Sequence, residues 1–153
     1  MANTYTQIYL QFVFAVENRS SLIMTEWKDE LYKYITGIVQ NNKHKLIAIN
    51  GTSNHIHIFV NYKPHQLISD LLKDIKGGSS NWTNDKRFVY GKFQWQRGYG
   101  AFSYSRSQID SVVKYIQNQE THHKKKSFRE EYLEFLQKYN IAYDEKYLLR
   151  DVQ

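Results

Sequence analysis

Two short patterns in this chain carry side chains suited to chemistry on a charged substrate. The first is His55-Ile56-His57, inside the strand-like run that continues through Ile58, Phe59 and Val60. Side chains alternate between the faces of a β-strand, so this spacing predicts both imidazoles on one side, with Ile56 and Ile58 turned into the core. Two imidazoles held side by side on rigid backbone are half of a metal site. The second pattern is Tyr115 with Gln119, an i, i+4 pair on a predicted helix whose apolar stripe is Ile109, Val112, Val113 and Ile116. At about 100° per residue, Tyr115, Gln119 and His122 cluster beside that stripe. A phenol and an amide oxygen there can reach the sheet the helix covers. Spacing alone fits equally well a boundary tyrosine and a solvated glutamine.

These residues need elements to position them. Residues 4–16 alternate and are rich in β-formers, which predicts a first strand. Thr25 is the expected N-cap of a helix carrying Trp27, Leu31, Tyr34, Ile35, Ile38 and Val39. A second strand is expected over residues 45–50, a turn at Gly51-Thr52-Ser53-Asn54, and a third strand over 55–62. Pro64, the only proline, precedes a second amphipathic helix with Leu67, Ile68, Leu71, Leu72 and Ile75 on its buried stripe, expected to weaken at Gly77-Gly78. Residues 93–104 read as a fourth strand broken by Gly98 and Gly100, and helices are expected over 107–122 and 128–139. The order βαββαβ is that of a ferredoxin-like antiparallel sheet: an α+β fold with helices on one face, plus additional C-terminal helices. The tail has expected anchors at Tyr143, Tyr147 and Leu148.

At 153 residues, the chain is expected to form a single domain over 1–153. It has no cysteine, so any metal must be held by His, carboxylate or amide groups. No run has the length of a membrane span and no signal peptide is visible, so a cytoplasmic location is expected and no membrane partner. Net charge is +6, with 21 Lys and Arg against 15 Asp and Glu, alongside 13 tyrosines, 8 phenylalanines and 3 tryptophans. Basic charge with aromatic faces suits single-stranded nucleic acid, although mildly basic soluble proteins with aromatic cores are common.

Further segments follow in a consistent order: Lys76-Gly77-Gly78-Ser79-Ser80, then Trp95-Gln96-Arg97-Gly98-Tyr99-Gly100-Ala101-Phe102-Ser103, then Tyr115-Ile116-Gln117-Asn118-Gln119-Glu120 with His122-His123. The chain closes with Phe128-Arg129-Glu130-Glu131-Tyr132 and Tyr143-Asp144-Glu145-Lys146-Tyr147-Leu148. Taken with His55-Ile56-His57, this ordered set resembles the insertion-sequence transposases of the single-tyrosine HUH superfamily, named for its His-hydrophobic-His motif. The resemblance implies action on single-stranded DNA at the hairpin-bearing ends of a mobile element. It implies that His55, His57 and Gln119 hold one divalent cation and that Tyr115 is the nucleophile. It also implies a homodimer in which the tyrosine-bearing helix completes the partner protomer's site.

Those roles make chemical sense. Attack by the Tyr115 phenol on a phosphodiester would give a covalent 5′-phosphotyrosine and a free 3′-hydroxyl, and a later 3′-hydroxyl can reverse the step without ATP. Two neutral imidazoles and one amide would leave the ion its full attraction for phosphate, and the N/O set suits Mg²⁺ or Mn²⁺. Lys76 and Arg97, with Trp95 and Tyr99, are candidate DNA contacts, as is the basic run Lys124, Lys125, Lys126 and Arg129. His122 and His123 remain open between supporting a ligand, contacting DNA and serving as an additional metal ligand. The rival readings are a non-catalytic single-stranded nucleic-acid-binding module, a two-histidine phosphoesterase (whose second His-x-Thr/Ser motif neither His44 nor His65 begins) and a structural zinc site built from His55, His57 and the 122–123 pair.

Overall fold

The computed structural model describes residues 3–18, 21–144 and 148; Tyr147, one expected tail anchor, lies outside the described residues. Four strands, β1 (Tyr9–Ala15), β2 (Lys45–Gly51), β3 (His55–Asn61) and β4 (Gly100–Tyr104), form one sheet in the order β2-β3-β1-β4. Every neighbouring pair is antiparallel. With helices α1 (Thr25–Asn41) and α2 (Ile68–Lys86) this is the expected βαββαβ arrangement. Three further helices follow: α3 (Ile109–Gln117), α4 (Gln119–His122) and α5 (Phe128–Lys138).

The two faces of the sheet are covered by different parts of the chain. Leu10, Phe12, Phe14, Ile56, Ile58 and Val60 pack against the buried stripes of α1 and α2. On the opposite face Val13, Ala15 and Phe102 pack under α5, while Ala48 and Phe59 pack under α3. Ile56 and Ile58 are therefore core residues as alternation requires, each worth about 1.5–3 kcal/mol of burial. His55 and His57 face α3 and α5, and are as buried as the isoleucines. Gly51 permits the hairpin that launches β3, since a Cβ there would overlap the His55 carbonyl oxygen and lie 2.8 Å from Ile56 Cα.

Several local expectations differ from the structure. Met24, not Thr25, is the N-cap of α1, and Thr25 is already helical. The second helix does not weaken at Gly77-Gly78 but runs to Lys86, and Gly78 sits where α1 passes closely. A Cβ on Gly78 would come within 3.0 Å of Ile38. Strand β4 begins only at Gly100. Phe93 is instead held by both ends of the Asn84 amide, Trp95 makes a single bridge to Val16, and Gly98 turns the chain at φ 82°. The predicted helix over 107–122 is divided at Asn118. There Asn50 of β2 donates its amide to the carbonyls of Ile116 (2.9 Å) and Gln117 (3.1 Å), tying the end of α3 to the sheet.

Candidate active site

The cross-strand register places His55 opposite Ala15 and His57 opposite Val13, on the face where side chains of β1 alternate Gln11, Val13, Ala15. Helix α3 crosses this face with Val112 and Ile116 buried beneath it, which lowers Tyr115 to within 5.9 Å of the His57 ring, centroid to centroid. Gln119, one turn on, is fully buried and its Oε1 lies 2.9 Å from His55 Nε2. The two patterns first picked out as separate are one cluster.

A carboxylate not assigned in advance joins them. Ser127 caps α5 in a reciprocal box with Glu130, which sets the phase of the helix. Phe128, Glu131, Tyr132 and Leu136 then share its buried face, so Glu131 enters the site at 1% exposure. Its Oε1 lies 3.2 Å from His57 Nε2, 3.5 Å from His55 Nε2 and 3.0 Å from His123 Nε2. Its Oε2 accepts the Tyr115 hydroxyl in a short hydrogen bond and the Gln119 amide at 3.1 Å. The His122 imidazole flanks Tyr115 at 3.4 Å. The legible signal was a carboxylate at i+3 within an otherwise apolar helical stripe. Gln11, likewise missed, is the one polar side chain in an apolar strand, and its Oε1 meets His57 Nδ1 at 2.6 Å.

The hydrogen bonds around the rings decide whether a cation fits. Tyr104 hydrogen-bonds Tyr139 and receives the Gln11 amide at 2.7 Å, which leaves Gln11 Oε1 as the acceptor for His57 Nδ1–H. His55 Nδ1 is 2.7 Å from Asn54 Oδ1 in the same way. In their neutral forms, with the proton on Nδ1, both rings present an Nε2 lone pair to the centre of the site. Burial above all, reinforced by His57, pushes the His55 imidazole well below its ordinary pKa, so it is neutral near pH 7. Two lone pairs, the Gln119 carbonyl oxygen and a carboxylate oxygen thus converge with no proton between them, an arrangement that asks for a positive ion. His55, His57 and Glu131 offer ligand atoms all within 4.8 Å of one another, and this group could hold a metal ion. With Glu131 ionised, this donor set carries one negative charge, where the two imidazoles and the Gln119 amide alone carry none.

Access is from the side of Tyr115. A cavity of about 380 Å³ between α3 and α5 is lined by Gln11, Tyr104, Ser111, Tyr115, Glu131 and Phe135. That is within the range of about 300–1,000 Å³ usual for ligand clefts.

The residues expected to touch DNA fall in different places. Lys76 is half-buried and donates to the carbonyls of Gln96 (2.7 Å) and Gly98 (2.8 Å), so it clamps the loop before β4. Trp95 is a packing residue, edge-on to Phe14 and bonded to Ser79 Oγ. Arg97, Lys124 and Lys125 are exposed, Tyr99 is at the edge of exposure, and Arg129 is half-buried. Lys126 pairs with Glu134 and lends its carbonyl to His123 Nδ1. Among the described residues, no helix is long and apolar enough to cross a membrane.

Comparison with known proteins agrees with this fold. The family model described as "Transposase IS200 like" matches residues 4–119. The ISDra2 transposase TnpA of Deinococcus radiodurans is 24% identical over 118 residues, covering 74% of this chain and 84% of that protein. A crystal structure of a transposase from Deinococcus radiodurans R1 superposes with a TM-score of 0.60 at 21% identity, over 76% of this chain and 94% of that one. The structure of a REP-associated tyrosine transposase bound to a REP hairpin gives a TM-score of 0.60 at 16% identity, covering 79% and 72%. With a family model matched from the first strand through Gln119, this chain belongs to the IS200-like transposases.

Proposed function

We propose that this transposase cleaves and rejoins single-stranded DNA at the hairpin-bearing ends of an insertion sequence through a covalent 5′-phosphotyrosine on Tyr115. The observation that carries this reading is the convergence of Tyr115, Gln119, His55 and His57 on one carboxylate. The hairpin bound to the REP-associated relative supports a hairpin substrate. In the forward step the Tyr115 oxygen bonds to phosphorus, the bond from phosphorus to the 3′-oxygen breaks, and that oxygen takes a proton from solvent water to leave as a hydroxyl. The phenol proton passes to Glu131 Oε2, its hydrogen-bond partner. Because a phosphodiester is exchanged for a phosphodiester, a second 3′-hydroxyl reverses the step and joins new ends.

A divalent cation, Mg²⁺ or Mn²⁺, would be held by His55, His57 and Gln119 together with Glu131, and would polarise the scissile phosphate. The protein's own part is to bury these donors, fix their tautomers and hold Tyr115 beside them. Arg97, Lys124, Lys125 and Arg129 would meet the DNA backbone. The acting unit is a homodimer, working in the cytoplasm. Within one chain Tyr115 already lies against its own His57, so exchanging helices between copies would substitute an equivalent contact.

The test is incubation of the protein with a single-stranded hairpin from the DNA flanking its own gene, with Mg²⁺ or Mn²⁺. Wild type should yield a denaturation-resistant protein–DNA adduct, and Tyr115→Phe should bind the hairpin without forming one. An adduct on Tyr115→Phe would remove the assignment of the nucleophile. Metal-independent binding with no adduct on wild type would instead describe a non-catalytic nucleic-acid-binding protein.

A further inference from the structure

His123 lies beyond residues 4–119 matched by the family model, and the group of buried donors described above does not use it. Its placement is nonetheless constrained. The turn after α4 folds back so that His123 Nδ1 is 2.7 Å from the backbone carbonyl of Lys126. A carbonyl oxygen only accepts, so Nδ1 carries the proton and Nε2 of the neutral ring carries a lone pair. That lone pair points at Glu131 Oε1 from 3.0 Å.

His123 therefore repeats the pattern of His55 and His57. Each ring gives Nδ1–H to a fixed oxygen (Asn54 Oδ1, Gln11 Oε1, Lys126 O) and turns Nε2 toward the same carboxylate oxygen. One proton on the carboxylate could satisfy one of these three contacts, never all of them. A cation can take all three lone pairs together once the His123 ring, which lies just outside the 4.8 Å group of His55, His57 and Glu131, moves inward. The His123 and His55 rings are 4.6 Å apart, edge to face, and Phe128 stacks on His55 at 4.0 Å from the opposite element, so the group is packed rather than loosely assembled.

We propose that His123 is a further ligand of the cation, giving a centre of three imidazoles with Glu131 and Gln119. This rests on the reading that the site binds a divalent cation. A third imidazole biases the site away from Mg²⁺ and toward Mn²⁺ or softer first-row ions, because imidazole suits the latter. It also ties metal loading to the turn at residues 123–127 and hence to α5, which carries Glu131.

The test uses the full chain, ¹⁵N-labelled, titrated with Cd²⁺ alone and followed through the histidine ring nitrogens by long-range ¹H–¹⁵N correlation. The expected result is that three Nε2 resonances, those of His55, His57 and His123, move together while their Nδ1–H signals persist. Movement of only the His55 and His57 signals would overturn the role of His123 and leave metal binding by the transposase intact. No movement at all would overturn both. A Mn²⁺ titration of His123→Ala, with its fold checked by circular dichroism, should show binding weakened on the order of 100-fold, the upper end of what losing a supporting residue costs. Wild-type affinity in that folded variant would also overturn the proposal, and the wild-type spectra decide the matter should the variant not fold.

Discussion

Gln11 offers the sharpest check on how this site is tuned, because it touches neither Tyr115 nor the centre of the cluster. Its buried side chain accepts His57 Nδ1–H at 2.6 Å and donates to Tyr104 at 2.7 Å. Gln11→Leu preserves volume and removes both bonds. An orphaned buried N–H costs about 1–3 kcal/mol. His57 can escape most of that cost by moving its proton to Nε2, where Glu131 Oε1 waits at 3.2 Å. The apo protein should then lose only about 1 kcal/mol, the low end of that range. The escape consumes the lone pair the metal needs. Metal affinity should fall by about 10–100-fold, the usual effect of losing such a supporting group. With Mn²⁺ at 100 times the wild-type Kd, wild type gains about 2.7 kcal/mol and the variant only about 0.4–1.4. Thermal melts with and without Mn²⁺ measure this, at about 2–4 °C per kcal/mol for a domain of this size. Gln11→Glu, which keeps an acceptor facing Nδ1, should retain the metal-dependent gain. Equal Mn²⁺ stabilisation of Gln11→Leu and wild type, or equal loss in both variants, would refute the tautomer argument.

Other perturbations follow from the same geometry. Gly51→Ala should destabilise the fold by about 2–3 kcal/mol in urea denaturation, since its Cβ meets main chain at His55 and Ile56 rather than a movable side chain; a neutral result would disprove the hairpin's close approach. The metal-free protein should lose stability as pH falls below about 6.5, where unfolded histidines begin to bind protons that the folded rings refuse. Burial holds His55 well below that value and brings His123 down to about 4, so the loss should continue between those limits, at up to about 1.4 kcal/mol per pH unit for each ring. Saturating Mn²⁺ should deepen the dependence, and a flat urea-midpoint profile from pH 7 to 5 would contradict it. Replacing Lys124 and Lys125 with alanine should lower the salt slope of hairpin binding by about 1.4, at about 0.7 per single-strand phosphate contact. An unchanged slope would place them off the DNA.

Much of this was legible because it depends on periodicity. The alternation in His55-Ile56-His57-Ile58 sets which side chains enter the α1/α2 core, and the sheet order followed from the sequence of strand and helix signals. What escaped depends on contacts between distant segments. Gly77-Gly78 reads as a helix breaker in isolation, yet the close passage of Ile38 makes Gly78 a packing contact. Asn118 gives no warning of a break, because the group that ends α3 there is the amide of Asn50, from a different strand. Lys76 looks like a phosphate ligand until the loop carbonyls that occupy it are seen.

Glu131 alters the electrostatic logic of the site most. With only His55, His57 and Gln119 as ligands, a divalent ion would present its whole charge to the phosphate. The carboxylate halves that net charge and so weakens ground-state attraction for DNA. What it supplies in return is an acceptor already bonded to the Tyr115 hydroxyl. Phosphate attraction helps substrate and transition state alike, whereas taking up the phenol proton helps only as the new bond to phosphorus forms, and only the second kind of interaction raises the rate of the step. Basic residues on the surface can restore the lost attraction at no expense to the chemistry, which is a role Lys124 and Lys125 are placed to fill. Glu131→Gln separates the two effects. Hairpin binding should hold or tighten in that variant while adduct formation slows, and a variant that bound DNA less well at unchanged cleavage rate would reverse the assignment.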